Sequence, residues 1–219
     1  LENSLIENNG QAGVASTYGS SVTVNNCTIR ANTLQGVLVN DNSALILTNS
    51  MITGNGTSNG SSGVVVQRSS SARIGQSLTG VLGPNTIKNN GGAGIGGAGI
   101  SVSRSAYALI DGNTITGNFG TGVNIEGASA TVTNNTIQGN QTKGIVVSNA
   151  GSARIGITEG GVGGGNTIEN NVYDGIEISN GAAAFMTKNQ IRLNGLNTGR
   201  AGAAISRATV RVIVDKTTR

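Results

Sequence analysis

Asn113-Thr114-Ile115-Thr116-Gly117-Asn118 leads into Gly122-Val123-Asn124-Ile125 and then Ala130-Thr131-Val132. At Asn135-Thr136-Ile137 the same series begins again. The core of the unit is Ile-x-x-Asn, and it recurs along the whole chain. Its isoleucines are Ile6, Ile29, Ile52, Ile87, Ile115, Ile137, Ile168 and Ile191. Its asparagines are Asn9, Asn32, Asn55, Asn90, Asn118, Asn140, Asn171 and Asn194. Successive isoleucines lie 23, 23, 35, 28, 22, 31 and 23 residues apart. The base period is therefore 22 or 23, and the longer intervals carry insertions.

Two further segments complete each unit. One is Gly followed by alternating apolar residues, as in Gly36-Val37-Leu38-Val39, Gly99-Ile100-Ser101-Val102 and Gly144-Ile145-Val146-Val147. The other is a small-x-apolar triplet, as in Ala44-Leu45-Ile46, Ala72-Arg73-Ile74 and Ala153-Arg154-Ile155. Three short segments of period two per repeat predict three strands per coil. β-Branched residues fill the apolar slots, and Gly, Asn and Ser cluster between them. One coil cannot bury its own interior. A stack can, by pairing each strand with its copy about 4.8 Å away, so eight coils predict a rod about 38 Å long. Inward Ala44 and Ala72 would suit an interior too narrow for rings.

Composition agrees and removes several classes. The 219 residues include 36 Gly, three Tyr, two Phe and no Trp. There is no His, so no mechanism with a His base is open. A lone Cys27 excludes a disulfide scaffold and a four-ligand zinc site. No apolar run reaches the roughly 20 residues that a membrane-spanning helix needs. The net charge is only +4, with basic residues clustered only at Arg200, Arg207, Arg211, Lys216 and Arg219. With few rings to stack on bases, nucleic acid is not the expected partner.

The Asn-Thr-Ile-x-x-Asn-x-x-x-Gly-Ile-x-Ile pattern resembles the repeat of the right-handed parallel β-helix proteins of the pectate-lyase-like superfamily. The resemblance runs from residue 1 to about 215. It implies an all-β, single-stranded right-handed parallel β-helix of about eight coils. By it, Gly-Ile-x-Ile forms the first sheet, small-x-apolar the second and Asn-Thr-Ile the third. The whole chain would be one domain, a fragment or module of a longer exported protein placed outside the cell or on its surface. Asn85, Asn113, Asn135 and Asn166 would sit at the tight second turn. There stacked Asn side chains can bond coil to coil, and Asn tolerates left-handed backbone angles. Ser4, Cys27 and Ser50 fill that slot in the first coils.

Insertions are the usual seat of function. Residues 75–84 and 156–165 are Gly-rich loops that follow Ser-Ala-Arg-Ile-Gly, 81 residues apart, and suggest a three-coil duplication. Loops at residues 56–62, 91–98 and 195–201 are short and made mainly of small residues. The run Gly91-Gly92-Ala93-Gly94-Ile95-Gly96 cannot cradle a phosphate as nucleotide loops do, because no helix follows it.

Enzymes of the resembled superfamily work on the first sheet and third turn with clustered carboxylates, often with Ca²⁺, or with an Arg or Lys base. The outward file there is Leu38, Val65, Ser101, Asn124, Val146, Glu177 and Ala204, mostly uncharged. Glu126, Lys143, Asp174 and Glu177 are the candidate catalytic group. Stacking would bring them within about 5–10 Å of one another, close enough for acid–base work or for Ca²⁺. The bland reading is a solvated cluster in which Lys143 balances the acids. No other metal or cofactor is implied. Arg73 and Arg154 are candidate ligand-binding residues at equivalent outward positions of the second sheet, about 14 Å apart. Thr28, Thr86, Thr114, Thr136 and Thr167 form an outward file, as ice-binding solenoids have, but the adjacent file mixes charges. The balance favours a non-catalytic rod over an enzyme. Its role would be structural, adhesive or weakly carbohydrate-binding, with a polysaccharide or surface glycan as partner, or copies associating end to end or side by side. The alternatives are a polysaccharide lyase or hydrolase, and an ice-binding solenoid.

Overall fold

A computed structural model describes residues 1–157, 164–196 and 198–213. Within them are 24 short strands and no helix. The strands recur in one order. Thr114–Thr116 belongs to the third sheet, Val123–Glu126 to the first and Ser129–Thr133 to the second, and the next coil follows. Strands pair in parallel with their copies in neighbouring coils, giving three sheets of eight. The molecule is a three-sided solenoid of eight coils. The last second-sheet strand, Thr209–Ile213, pairs in parallel with Ala183–Thr187. Val214 and the basic residues 216–219 lie outside the described residues.

The isoleucines stack as their spacing required. Ile115 is in register with Ile87 on one side and Ile137 on the other. All six from Ile29 to Ile168 have no exposed surface, while Ile6 and Ile191, in the end coils, are partly buried. Full burial of such a side chain contributes about 1.5–3 kcal/mol each. Val123 and Ile125 enter from the first sheet, Ala130 and Val132 from the second. Ala108, Ala130, Ala153 and Ala184 keep one wall of the second sheet thin.

In the second coil, Leu45 and not Ala44 occupies the slot of Ala72. Leu45 is buried, whereas Ala44 lies on the outer face, half-buried. Residues 44–47 are all apolar, so alternation alone carries no phase there. The turn sets it: the Ser43 hydroxyl accepts from the Ser20 N–H at 3.2 Å, and the Ser43 N–H donates to the Ser70 hydroxyl at 3.1 Å.

The turns between sheets are held by side-chain ladders. Asn118 Oδ1 accepts both the N–H and the Nδ2 of Asn90, each at 3.1 Å. Asn118 Nδ2 in turn donates to Asn140 Oδ1 at 3.0 Å and to the Ile87 carbonyl at 3.1 Å. This link repeats from Asn9 to Asn194. A second ladder runs from Cys27 through Ser50, Asn85, Asn113, Asn135 and Asn166 to Asn189. Cys27 is buried there, its N–H on the Ser50 hydroxyl. The left-handed residue of this turn is not the ladder Asn but its predecessor: Asn26, Asn49, Gly112 or Asn134. That geometry turns the ladder residue inward, where its amide replaces water for buried backbone groups.

The Gly of Gly-Ile-x-Ile has a packing reason. A Cβ on Gly99 would stand 2.7 Å from Ile115 Cγ2 and 2.8 Å from Asn118 Nδ2. The next coil's ladder pair thus fills the space a side chain would need. The twin loops attach alike. Gly75 and Gly156 have φ of 96° and 91°, and Gly83 and Gly164 accept from the N–H of Asn49 and Asn134. The middle of the second loop, residues 158–163, lies outside the described residues.

Asn118→Ala is expected to cost about 3 kcal/mol, because it leaves buried N–H groups of Asn90 without an acceptor. Gly99→Ala is expected to destabilise as well, while Gly10→Ala, at an exposed position where a Cβ meets nothing within 4 Å and φ is not left-handed, changes stability little. Urea unfolding followed by circular dichroism checks the order.

Candidate functional site

On the outer face of the first sheet, strand register places Leu38, Val65, Ser101, Asn124, Val146, Glu177 and Ala204 in one file. Lys143, just ahead of strand Ile145–Ser148, reaches Glu177 at 2.5 Å. About a quarter of each side chain is exposed. Asp174 sits beside this pair but is only 2% exposed. Its Oδ1 accepts the N–H of Ala201 at 2.9 Å, pinning the return of the 195–201 loop. Glu126 ends its strand two residues beyond the Glu177 file, in register with Ser148. It accepts from Asn149 Nδ2 at 2.7 Å. The fold therefore joins Lys143 and Glu177 and gives Asp174 and Glu126 other partners. Among the described residues no three Asp, Glu, Cys or His side chains are grouped to hold a metal ion. The Arg200 guanidinium stacks over the Tyr173 ring at 5.7 Å beside this turn.

On the second sheet, Arg73, Leu109, Thr131 and Arg154 are in register, so the two arginines are three coils apart as read from the sequence. Their surroundings differ. Arg154 is exposed. Arg73 is half-buried, and its Nη1 donates to Gln76 Oε1 at 3.1 Å. Gln76 passes the contact on, donating to Asp111 Oδ2 at 3.2 Å. The other Asp111 oxygen accepts from Thr133 at 2.9 Å and from Asn134 at 2.7 Å. Asp111 is a buried carboxylate held by neutral donors, and sequence reasoning missed it. Its partners come from an insertion 35 residues earlier and from the following coil, so no local motif marks it. Beside Arg73 the outer face sinks into a groove of about 410 Å³.

On the third sheet, Thr28, Thr86, Thr114, Thr136 and Thr167 do share a file, interrupted by Met51. The adjacent file carries Arg30 and Arg192, ion-paired with Glu7 and Glu169. A face crossed by ion pairs is not a regular hydroxyl array.

Residues 1–77, 80–156 and 121–218 match the family model described as right handed beta helix region, and the chain belongs to that family. Among solved structures it is similar to the periplasmic alginate epimerase AlgG. A double mutant of that enzyme aligns with a TM-score of 0.71 and 16% identity over 93% of this chain. The unsubstituted enzyme aligns with a TM-score of 0.63 and 15% identity over 91% of this chain. The alignments cover 48% of those chains, so this chain spans about half the length of the structures it matches. At such identity the likeness concerns the fold. A comparison with curated proteins finds no match. Among the described residues no helix is long and apolar enough to cross a membrane.

Losing Asp174 is expected to cost more stability than losing Glu177. Asp174→Ala strands a partly buried N–H, at about 1–3 kcal/mol. Glu177→Gln gives up one partly exposed ion pair, worth about 1 kcal/mol or less. Parallel denaturant titrations of the two variants check the ranking.

Proposed function

We propose that this β-helix is a non-catalytic module of an exported protein, a rod whose long faces contact polysaccharide without turning it over. One observation carries the reading: of the four candidate groups on the first-sheet side, Lys143 and Glu177 hold each other, Asp174 holds a backbone N–H and Glu126 holds the Asn149 amide. Acid–base chemistry at a glycosidic or uronate centre needs groups free to give and take a proton at the reacting atoms. Lys143 and Glu177 neutralise each other. Asp174 is buried on a backbone N–H, and Glu126 lies along a different file. The likeness in fold to a periplasmic alginate epimerase supports an exported location and a carbohydrate partner.

The second reading is a carbohydrate-active enzyme. Lys143 beside Glu177 on the first sheet favours it, since an ion pair that opens on binding supplies both a base and an acid.

The test incubates the chain with alginate, polygalacturonate and neutral glycans. Retention on immobilised polymer is measured beside product formation: reducing ends, unsaturated uronate absorbance and the epimer ratio by NMR. The result expected is saturable retention with no product. Turnover that Lys143→Gln or Glu177→Gln abolishes would overturn the rod and establish the enzyme.

A further inference from the structure

The outer face of the second sheet carries a groove lined by residues of its first coils and of the 75–84 loop. Its floor is the outer face of the first coils, where Thr23, Ile46, Arg73 and Leu109 stand in one file. Tyr107, 44% exposed, and Leu78, 71% exposed, stand at its sides. Leu78 comes from the 75–84 loop, a small hairpin closed by the antiparallel bridge between Gln76 and Leu82. The volume of about 410 Å³ is that of a small-molecule pocket. The lining is mainly apolar, with hydroxyls from Ser21, Thr23 and Ser71.

Arg73 is the charged residue of this lining. Arg30, Arg68, Lys143 and Arg192 each reach a carboxylate. Arg73, like Lys88, Arg104 and Arg154, has none within ion-pair distance among the described residues, but unlike the exposed Arg104 and Arg154 it is half-buried, and it donates to the neutral Gln76. Asp111 lies on the far side of Gln76 and is satisfied by Thr133 and Asn134. Glu2 lines the neighbouring depression. A half-buried guanidinium over an apolar floor is a poor place for a lone charge. It becomes favourable when a carboxylate supplies paired acceptors in its plane.

We propose that this groove binds a small amphipathic carboxylate, an apolar chain or ring ending in one carboxylate. The carboxylate sits on Arg73, and the apolar body lies along Ile46, Leu109 and Tyr107 under Leu78. The site is on a different face from the first-sheet residues and does not depend on the polysaccharide reading.

The probes are octanoate, kept below its micelle concentration, and octanamide, which has the same apolar body without the charge. Binding to the whole chain is followed by calorimetry and by NMR of the ligand methyl signal. Octanoate is expected to bind saturably, and octanamide about tenfold more weakly or worse. Arg73→Gln is expected to lower octanoate affinity to the octanamide level and leave octanamide unchanged. Ala44→Trp, which fills the groove from its floor, is expected to remove both. Thermal melts of both variants confirm that they fold. Equal affinity for the two probes, octanoate binding unchanged in Arg73→Gln, or no saturable binding would each overturn the proposal. So would a dimer in sedimentation velocity that Ala44→Trp dissolves, because the groove would then hold a second copy of the chain.

Discussion

Every interior position of this molecule must accept a copy of itself one coil away. The strands pair in parallel and in register, so Ile115 can only meet Ile87 and Ile137, and Asn118 can only meet Asn90 and Asn140. For an apolar side chain such stacking is undemanding. For a polar group inside a dry turn it is severe, because an unpaired buried amide costs as much as several good contacts supply. Asn meets the demand by carrying a donor and an acceptor on one short stem. It satisfies the N–H of the coil before, donates to the Asn of the coil after, and reaches back to a main-chain carbonyl. The glycines follow from the same packing, since the ladder pair of the next coil occupies the space of their missing Cβ.

This self-matching is why so much of the architecture could be read from residues alone. A position that must match its own copy is written at a fixed period, and the period shows the coil, the three sheets and the two ladders. Reading failed where periodicity was silent. Ala44-Leu45-Ile46-Leu47 has no polar residue to mark its inward phase, and the serines at the turn set it one residue later. The left-handed position likewise fell one residue before the ladder slot, at Asn26, Asn49, Gly112 and Asn134, because the tolerance of Asn for such angles does not say which residue of the turn adopts them. Asn189 extends the second ladder behind Lys188, without the Asn-Thr-Ile signature.

Surface chemistry was less legible, because the outer face of a solenoid carries no self-matching rule. Spacing could say that Lys143 and Glu177 occupy neighbouring coils. It could not say that Asp174 would fold under the 195–201 loop, or that Glu126 would turn to Asn149. Nor could it show that two arginines at equivalent positions, Arg73 and Arg154, would differ in burial once a hairpin and Tyr107 framed one of them. The interior thus specifies a scaffold, and the differences between coils on its faces specify what the scaffold can hold.

Amide hydrogen exchange, followed by NMR residue by residue, bears most directly on the stacked interior. The backbone N–H groups of Asn55, Asn90, Asn118 and Asn140 should be among the slowest to exchange, far slower than those at the tip of the 75–84 loop. Exchange of these four at loop-like rates would mean that the ladders are not formed, and a coil-on-coil interior could not stand.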